Sequence, residues 1–337
     1  VSAPSQSPDL SELALALRRA CGIVFSDERG EQVRSGLSRA AKALGLDEDA
    51  LLARVRSGDP AALSALVEGS VVGETYFWRH REQLAALRAV LRADGGGRPL
   101  RVWCAGCATG EEAYTLAALL LEEGLGAAGS VLGTDVSEKA LEAARQGRYG
   151  PWSLRGVPVP ERARWLREDG EQGWTVLPEL RELTAFRRHN LTRDPPPADG
   201  FDVVLCRNVL IYFDPPTARA VLERLFAAVR PRGLVVLSPA ENFFARPLGF
   251  EEVDRGGAVL WRRDRPAPQA PRPARARAAA PARPVAGGAP PPPALAPPSP
   301  PARPPAAPAP AAEPASSEAA GDVHAEGPRA AAAARWE

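Results

Sequence analysis

Methionine is absent from this 337-residue chain, so its first residue, Val1, is either an alternatively coded start or a trimmed end. An excess of either charge is missing too: 42 Lys and Arg stand against 41 Asp and Glu. That balance removes the broad basic footprint of a nucleic-acid binder, and none is expected as a partner. Cysteine is scarce, with Cys21, Cys104, Cys107 and Cys206 alone. Cys104 and Cys107 form a C-x-x-C, but no second pair or C-x-x-H follows, so no metal site is expected. Cys107 does not open a helix as a dithiol redox centre requires, and scattered thiols fit a reducing compartment. No run approaches the roughly 18 apolar residues of a crossing helix, and the start lacks a basic-then-apolar leader. The expectation is a cytoplasmic protein that does not insert into the membrane.

What is present falls into three compositional regimes. Residues 8 to about 70 carry helical spacing of Leu and Ala, with Ser7-Pro8-Asp9, Asp47 and Asp59-Pro60 as helix starts. This predicts a domain of about four helices over 1–70. A segment over 71–97 then joins it to residues 98–263, where short apolar strands alternate with helices. Strands are predicted at 100–104, 130–134, 201–206 and 233–238, with helices at 111–123, 137–146 and 216–229. A hairpin over 250–262 turns at Asp254-Arg255-Gly256-Gly257. The pattern predicts an α/β fold with a doubly wound, mostly parallel sheet. Residues 151–190 break the alternation, and strand-like Trp174–Val176 and Thr184–His189 predict a small β insertion. From Asp264 to Glu337 the chain is Pro, Ala and Arg, with 20 of its 36 prolines. Such a segment buries too little surface to offset backbone entropy, and a disordered tail or linker is expected.

The most informative stretch is Leu100–Leu121: an apolar strand, a glycine turn at Gly106 and Gly110, then a helix opening on Glu111-Glu112. Strand, turn and helix start form the nucleotide-binding corner of a doubly wound sheet. A dinucleotide site would offer bare N–H groups to a pyrophosphate. Two carboxylates there repel phosphate but tolerate a cationic, phosphate-free ligand such as S-adenosylmethionine. Asp135, 29 residues after Gly106, ends the second strand, where an acid accepts hydrogen bonds from both ribose hydroxyls. Arg207 and Asn208 stand at the carboxyl end of the 201–206 strand. Arg207 there needs either an anionic partner or a place in the cleft, and Tyr212 either reaches that cleft or packs. Gly73–Arg81, GETYFWRHR, is a candidate lid, with Arg79 the residue for substrate contact and His80 a surface side chain. Glu241-Asn242-Phe243 again lies at a strand's carboxyl end.

Together these segments resemble the chemotaxis receptor glutamate methyltransferases, the CheR family. The family shows N-E-T-x-F-F-R, A-G-x-S-T-G-E-E-P-Y-S, T-D-I-D-x-x-x-L-x-x-A-R-x-G-x-Y, F-D-x-I-F-C-R-N-V-x-I-Y-F and S-E-N-F. This chain reads GETYFWR (73–79), AGCATGEEAYT (105–115), TDVSEKALEAARQGRY (134–149), FDVVLCRNVLIYF (201–213) and AENF (240–243), in order across about 170 residues. The resemblance implies a Rossmann-like S-adenosyl-L-methionine methyltransferase. It implies a cofactor shell of Thr75, Arg79, Glu112, Asp135, Asn190, Leu191, Arg207 and Asn208, and it puts Arg79 and Tyr212 beside the methyl-transfer centre as catalytic residues. Gly73 replaces the family's asparagine, so that cofactor contact is lost or made by backbone; Ala240 replaces a serine. The resemblance also implies a substrate, glutamates on the cytoplasmic helical bundle of methyl-accepting chemoreceptors, docked on the N-terminal helices by a monomeric enzyme. The turn around Gly170–Gly173 is shorter than in members that grip a receptor-terminal peptide, so peptide-independent binding is expected. Two other readings stand beside this one: a methyltransferase of another substrate, and a non-catalytic S-adenosylmethionine-binding signalling module.

Overall fold

The computed structural model describes residues 10–25, 30–93, 99–126, 129–170 and 173–263. The expected tail over 264–337 lies outside the described residues. Four helices come first: α1 (Leu10–Cys21), α2 (Gly30–Leu44), α3 (Glu48–Arg56) and α4 (Pro60–Ser70). The Asp47 side chain caps α3 through Ala50 N–H, and Asp59 caps α4, whose first residue is Pro60. Their apolar stripes close a core of Leu13, Leu17, Val33, Leu37, Leu51 and Leu66. Helices α2 and α4 pack unusually tightly. A Cβ on Gly69 would stand 2.4 Å from the Gly36 carbonyl oxygen, so this crossing tolerates only glycine there.

The chain continues through α5 (Arg81–Ala93), β1 (Arg101–Ala105), α6 (Glu111–Glu122), β2 (Ser130–Asp135), α7 (Glu138–Gln146) and β3 (Arg148–Tyr149). Next come α8 (Val159–Trp165), β4 (Leu166–Glu168), β5 (Trp174–Val176), α9 (Pro178–Leu183), β6 (Thr184–Arg188) and β7 (Phe201–Cys206). The fold ends with α10 (Pro215–Ala228), β8 (Val229–Leu237), α11 (Asn242–Ala245), β9 (Glu251–Arg255) and β10 (Ala258–Arg262). Seven strands form one sheet in the order β6-β2-β1-β7-β8-β10-β9. The first five are parallel and β10 is antiparallel to both its neighbours. Alternation sorts the side chains of β1: Val102 and Cys104 enter the core on one face, Trp103 and Ala105 that on the other. The mostly parallel sheet and terminal hairpin are those read from the sequence.

Two segments differ from that reading. Residues 81–93, inside the joining segment, form α5, which buries Leu84, Leu87 and Val90 in the sheet's core. Thr184–Arg188 is not part of the insertion; it is the edge strand β6, paired in parallel with β2. The insertion proper is a separate antiparallel sheet in the order β3-β5-β4. Single-strand periodicity does not say which sheet a strand will join, because both present one buried face.

Candidate active site

The carboxyl ends of β1, β2 and β7 open into a cleft of about 850 Å³, mouth included, the size of a nucleoside-bearing ligand site. Beneath it the turn after β1 bends sharply. Gly106, Ala108 and Gly110 all have positive φ, at 76°, 48° and 95°. The Gly106 and Cys107 N–H groups donate to the Thr134 carbonyl at 2.8 and 2.9 Å. A Cβ on Gly106 would lie 2.5 Å from Val209 Cγ2, so the turns after β1 and β7 touch here.

The adjacent acids that open α6 part company. Glu111 turns away from the cleft and accepts hydrogen bonds from Thr109 and Ser153, each at 2.7 Å. Burial pushes its carboxyl above the ordinary range. Glu112 lines the cleft and accepts from Arg207 Nε at 2.9 Å, in a pair that is almost entirely buried. Arg207 also donates to the Arg79 carbonyl at 2.8 Å. It therefore has both of the features open to it in the sequence, an anionic partner and a place on the cleft wall.

Asp135 lies at the end of β2 on the cleft wall. Its Oδ2 accepts from Ala108 N–H and its Oδ1 from Ser137 N–H, both at 2.9 Å. Burial raises its carboxyl pKa, and the Glu68 carboxylate adds to the rise. A carboxylate offers about four acceptor positions, so Asp135 keeps acceptor capacity for a ligand hydroxyl. Asn208, on the cleft wall, has φ 60° and a half-buried side chain that meets the His80 ring. Asn190 differs: its Oδ1 already accepts from Thr192 N–H and Oγ, and its Nδ2 donates to the Ala20 carbonyl. Its part in the wall is the loop it shapes, which presents apolar Leu191.

Thr75, Arg79 and Tyr212 also line the cleft. Arg79 donates to the Glu74 carbonyl at 2.9 Å and stands 5.6 Å over the Tyr76 ring. Gly73 lies between Val72 and Glu74, which line the cleft. It is exposed, and a Cβ there would meet nothing within 4 Å. His80 is half-buried rather than on the surface, with φ 55° and its ring against the Asn208 side chain. Burial together with Arg207 and Arg79 lowers its pKa.

One whole wall of the cleft leaves no mark in the sequence. Cys21, Ile23, Gln32, Ser70 and Val71 come from the helical domain and its exit. Ile23 bridges Phe213, Val24 N–H donates to the Tyr212 carbonyl at 2.8 Å, and Glu68 accepts from Glu138 N–H at 2.6 Å. Contacts between domains leave no local periodicity to read. Of the acids on the cleft wall, Glu112 pairs with Arg207 and Glu74 with Arg155, which leaves Asp135 at the end of β2 where a phosphate cradle would need bare N–H groups. With Arg207 neutralised by Glu112, the residues present fit S-adenosylmethionine better than a dinucleotide.

A sheet of this order, with an acid closing its second strand and no phosphate cradle at its first turn, defines the class of S-adenosylmethionine-binding methyltransferase folds. Residues 73–256 match the family model described as CheR methyltransferase, SAM binding domain. The chain belongs to that family. It is 37% identical over 235 residues to a probable biofilm formation methyltransferase, WspC, of Pseudomonas aeruginosa, covering 67% of this chain and 55% of that one. It is 35% identical over 246 residues to chemotaxis protein methyltransferase 2 of the same organism, covering 70% and 86%. Chemotaxis protein methyltransferase 1 of Vibrio cholerae is 31% identical over 256 residues, covering 73% and 93%. The chain thus spans about half the length of WspC and most of the length of the other two. No helix among the described residues is long and apolar enough to cross a membrane.

Proposed function

We propose that this chain methylates glutamate side chains on the cytoplasmic helical bundle of methyl-accepting chemoreceptors, forming γ-carboxyl methyl esters. The observation that carries the proposal is the convergence of Arg79, Asp135, Arg207, Asn208 and Tyr212 on one cleft, in a chain similar along most of its folded length to chemotaxis methyltransferases. When bound, S-adenosylmethionine supplies a methyl group on a positively charged sulfur. A receptor glutamate, with a pKa of about 4.3, is already ionised at neutral pH. Its oxygen forms the new C–O bond as the S–CH3 bond breaks, and the bond's electron pair returns to sulfur as a neutral thioether. No proton moves, so no general base is needed.

In this reading the protein aligns and dehydrates the reactants. Asp135 holds the ribose hydroxyls, and Asn208 and Leu191 flank the nucleoside. Arg79 orients the incoming carboxylate by charge-assisted hydrogen bonds. A loose contact serves best, because full pairing would quench the attacking oxygen. Tyr212 positions the oxygen opposite the departing sulfur. The N-terminal helices receive the receptor helices, and the enzyme works as a cytoplasmic monomer independent of a tethering peptide. Each ester removes one negative charge from the bundle and so shifts its internal repulsion.

The test is transfer of labelled methyl from S-adenosylmethionine to receptor cytoplasmic fragments, followed by mild alkali. Alkali-labile label recovered as methanol is expected. Label that survives alkali would mean another acceptor atom, and cofactor binding without transfer would mean another substrate or a sensor.

A further inference from the structure

Glu241 follows β8 in a motif to which the reading above gives no task. Its side chain is fully buried, and it gathers backbone amides. Oε1 accepts from Val209, Leu210 and Ile211 N–H at 2.8, 2.7 and 3.3 Å. Oε2 accepts from Asn208 N–H at 2.8 Å, Ser238 N–H at 3.1 Å and Ser238 Oγ at 2.6 Å. Four successive amides therefore point at one carboxylate.

We propose that Glu241 is a positioning residue for methyl transfer: it folds the Asn208–Ile211 turn and thereby sets where Asn208 and Tyr212 stand in the cleft. The inference rests on the function proposed above and deepens it. Consecutive N–H groups converge only in a nest-like backbone, where their dipoles repel unless an anion sits at the focus. Asn208 pays for that conformation with φ 60°, a region L-residues avoid. The turn runs directly into Leu210–Tyr212, a single 3-10 turn, so its curvature fixes the Tyr212 backbone. The Tyr212 carbonyl in turn accepts from Val24, which makes the N-terminal wall dependent on the same turn. All six donors are spent within the protein, so Glu241 acts through its neighbours and never on the substrate.

The experiment compares the full chain with Glu241→Gln, Glu241→Asp and Ser238→Ala. Receptor methylation rates, KM for a receptor fragment, calorimetric Kd for S-adenosylmethionine and thermal unfolding are measured on each. In Glu241→Gln an NH2 must face amide donors. At saturating cofactor its kcat is expected to fall about tenfold to a hundredfold, with receptor KM within about twofold. Cofactor Kd rises about threefold to tenfold as Asn208 shifts. Glu241→Asp, which keeps the charge, falls between this variant and the wild type. Ser238→Ala leaves the turn's four amides paired and stays within about threefold of wild type. A Glu241→Gln protein that melts earlier but turns over and binds cofactor as wild type overturns the proposal and leaves Glu241 a structural anion. Should Glu241→Gln not fold, wild-type kcat and Kd in Glu241→Asp overturn it equally. A wild-type chain that binds cofactor without methylating receptors defeats the proposed function instead; Glu241 is then judged on Kd, where an unchanged value overturns its role and a rise supports it.

Discussion

The turns after β1 and β7 do the same job by different means. Each bends the chain at the cleft floor, each holds non-glycine backbone at positive φ, Ala108 in one and Asn208 in the other, and each is anchored by a carboxylate, one at the end of β2 and one in the turn after β8. The turn after β1 has Gly106 and Gly110 at its sharpest points and needs one bond from Asp135. The turn after β7 has no glycine and draws four amides onto Glu241. The difference lies in acceptor capacity. Asp135 keeps acceptor capacity for a ligand, whereas the six bonds to Glu241 all come from within the protein. On the roles proposed above, the bonds a buried acid already makes distinguish Asp135, assigned to bind, from Glu241, assigned only to hold.

The harshest way to break the comparison is to cut the link between the turns. Glu112, just after the first, pairs with Arg207 at the start of the second. Glu112→Ala strands a buried guanidinium and is expected to cost about 3–5 kcal/mol of stability, measured by urea unfolding. A loss below about 1 kcal/mol would mean that the pair behaves as a solvated one and that the turns are independent. Next in size is Arg79→Ala. The Arg79 backbone is held by Arg207, but its side chain leans on Tyr76 and Glu74, outside both turns. Methyl transfer should fall about a hundredfold, with cofactor Kd changed less than about threefold. Transfer at the wild-type rate removes Arg79 from the reaction.

Asp135→Ala sharpens the contrast with Glu241. An acid that both binds and holds should weaken cofactor affinity by about tenfold to a hundredfold when removed, the value of one or two charge-assisted hydrogen bonds. Calorimetry with S-adenosylmethionine reads this directly, and an unchanged Kd refutes the ribose role. Protonation offers a reversible version. Burial raises the Asp135 pKa above its ordinary 3.8, so in acid the carboxylate is lost earlier than in a free chain. Cofactor affinity should therefore decline on the acid side in the wild type and show a flatter profile in Asp135→Asn.

Much of this was legible in the sequence because strands, glycine turns and the acid closing β2 are local. Their spacing follows from backbone geometry, which by itself puts Asp135, Arg207 and Asn208 at strand ends. What stayed hidden was relational. Nothing in the string Glu111-Glu112 tells which acid faces the cleft; the helix phase does, once Ser153 and Arg207 take opposite sides. Nothing local marks Thr184–Arg188 as a strand of the main sheet, or Cys21 and Ile23 as cleft wall. Glu241 was visible as a residue after a strand, but its task depends on amides some thirty positions upstream.

His80 gives the smallest expected effect and tests whether the 73–81 segment, the candidate lid, belongs to this electrostatic unit. Its ring lies near Arg79, Arg207, Glu112 and Asn208, and burial plus the two arginines hold its pKa below the ordinary 6.5. The sign follows from linkage. An unfolded chain takes up the proton near pH 6.5, while the native ring resists until a lower pH. Stability is therefore complete above about pH 6.5 and declines as the pH falls through the native value. Solvent screens a half-buried ring, so the decline is modest. His189, also lowered by burial, adds a slope of the same sign, and Asp135 and Glu111, both raised, oppose it at lower pH. Subtracting the unfolding curves of His80→Gln from those of the wild type removes these shared terms. The variant should lose less stability than the wild type between pH 7.5 and 5.5, a window of about one unit on either side of the free imidazole value. Parallel losses would place His80 outside the field of Arg79 and Arg207, and would detach the lid from the turn that Glu241 holds.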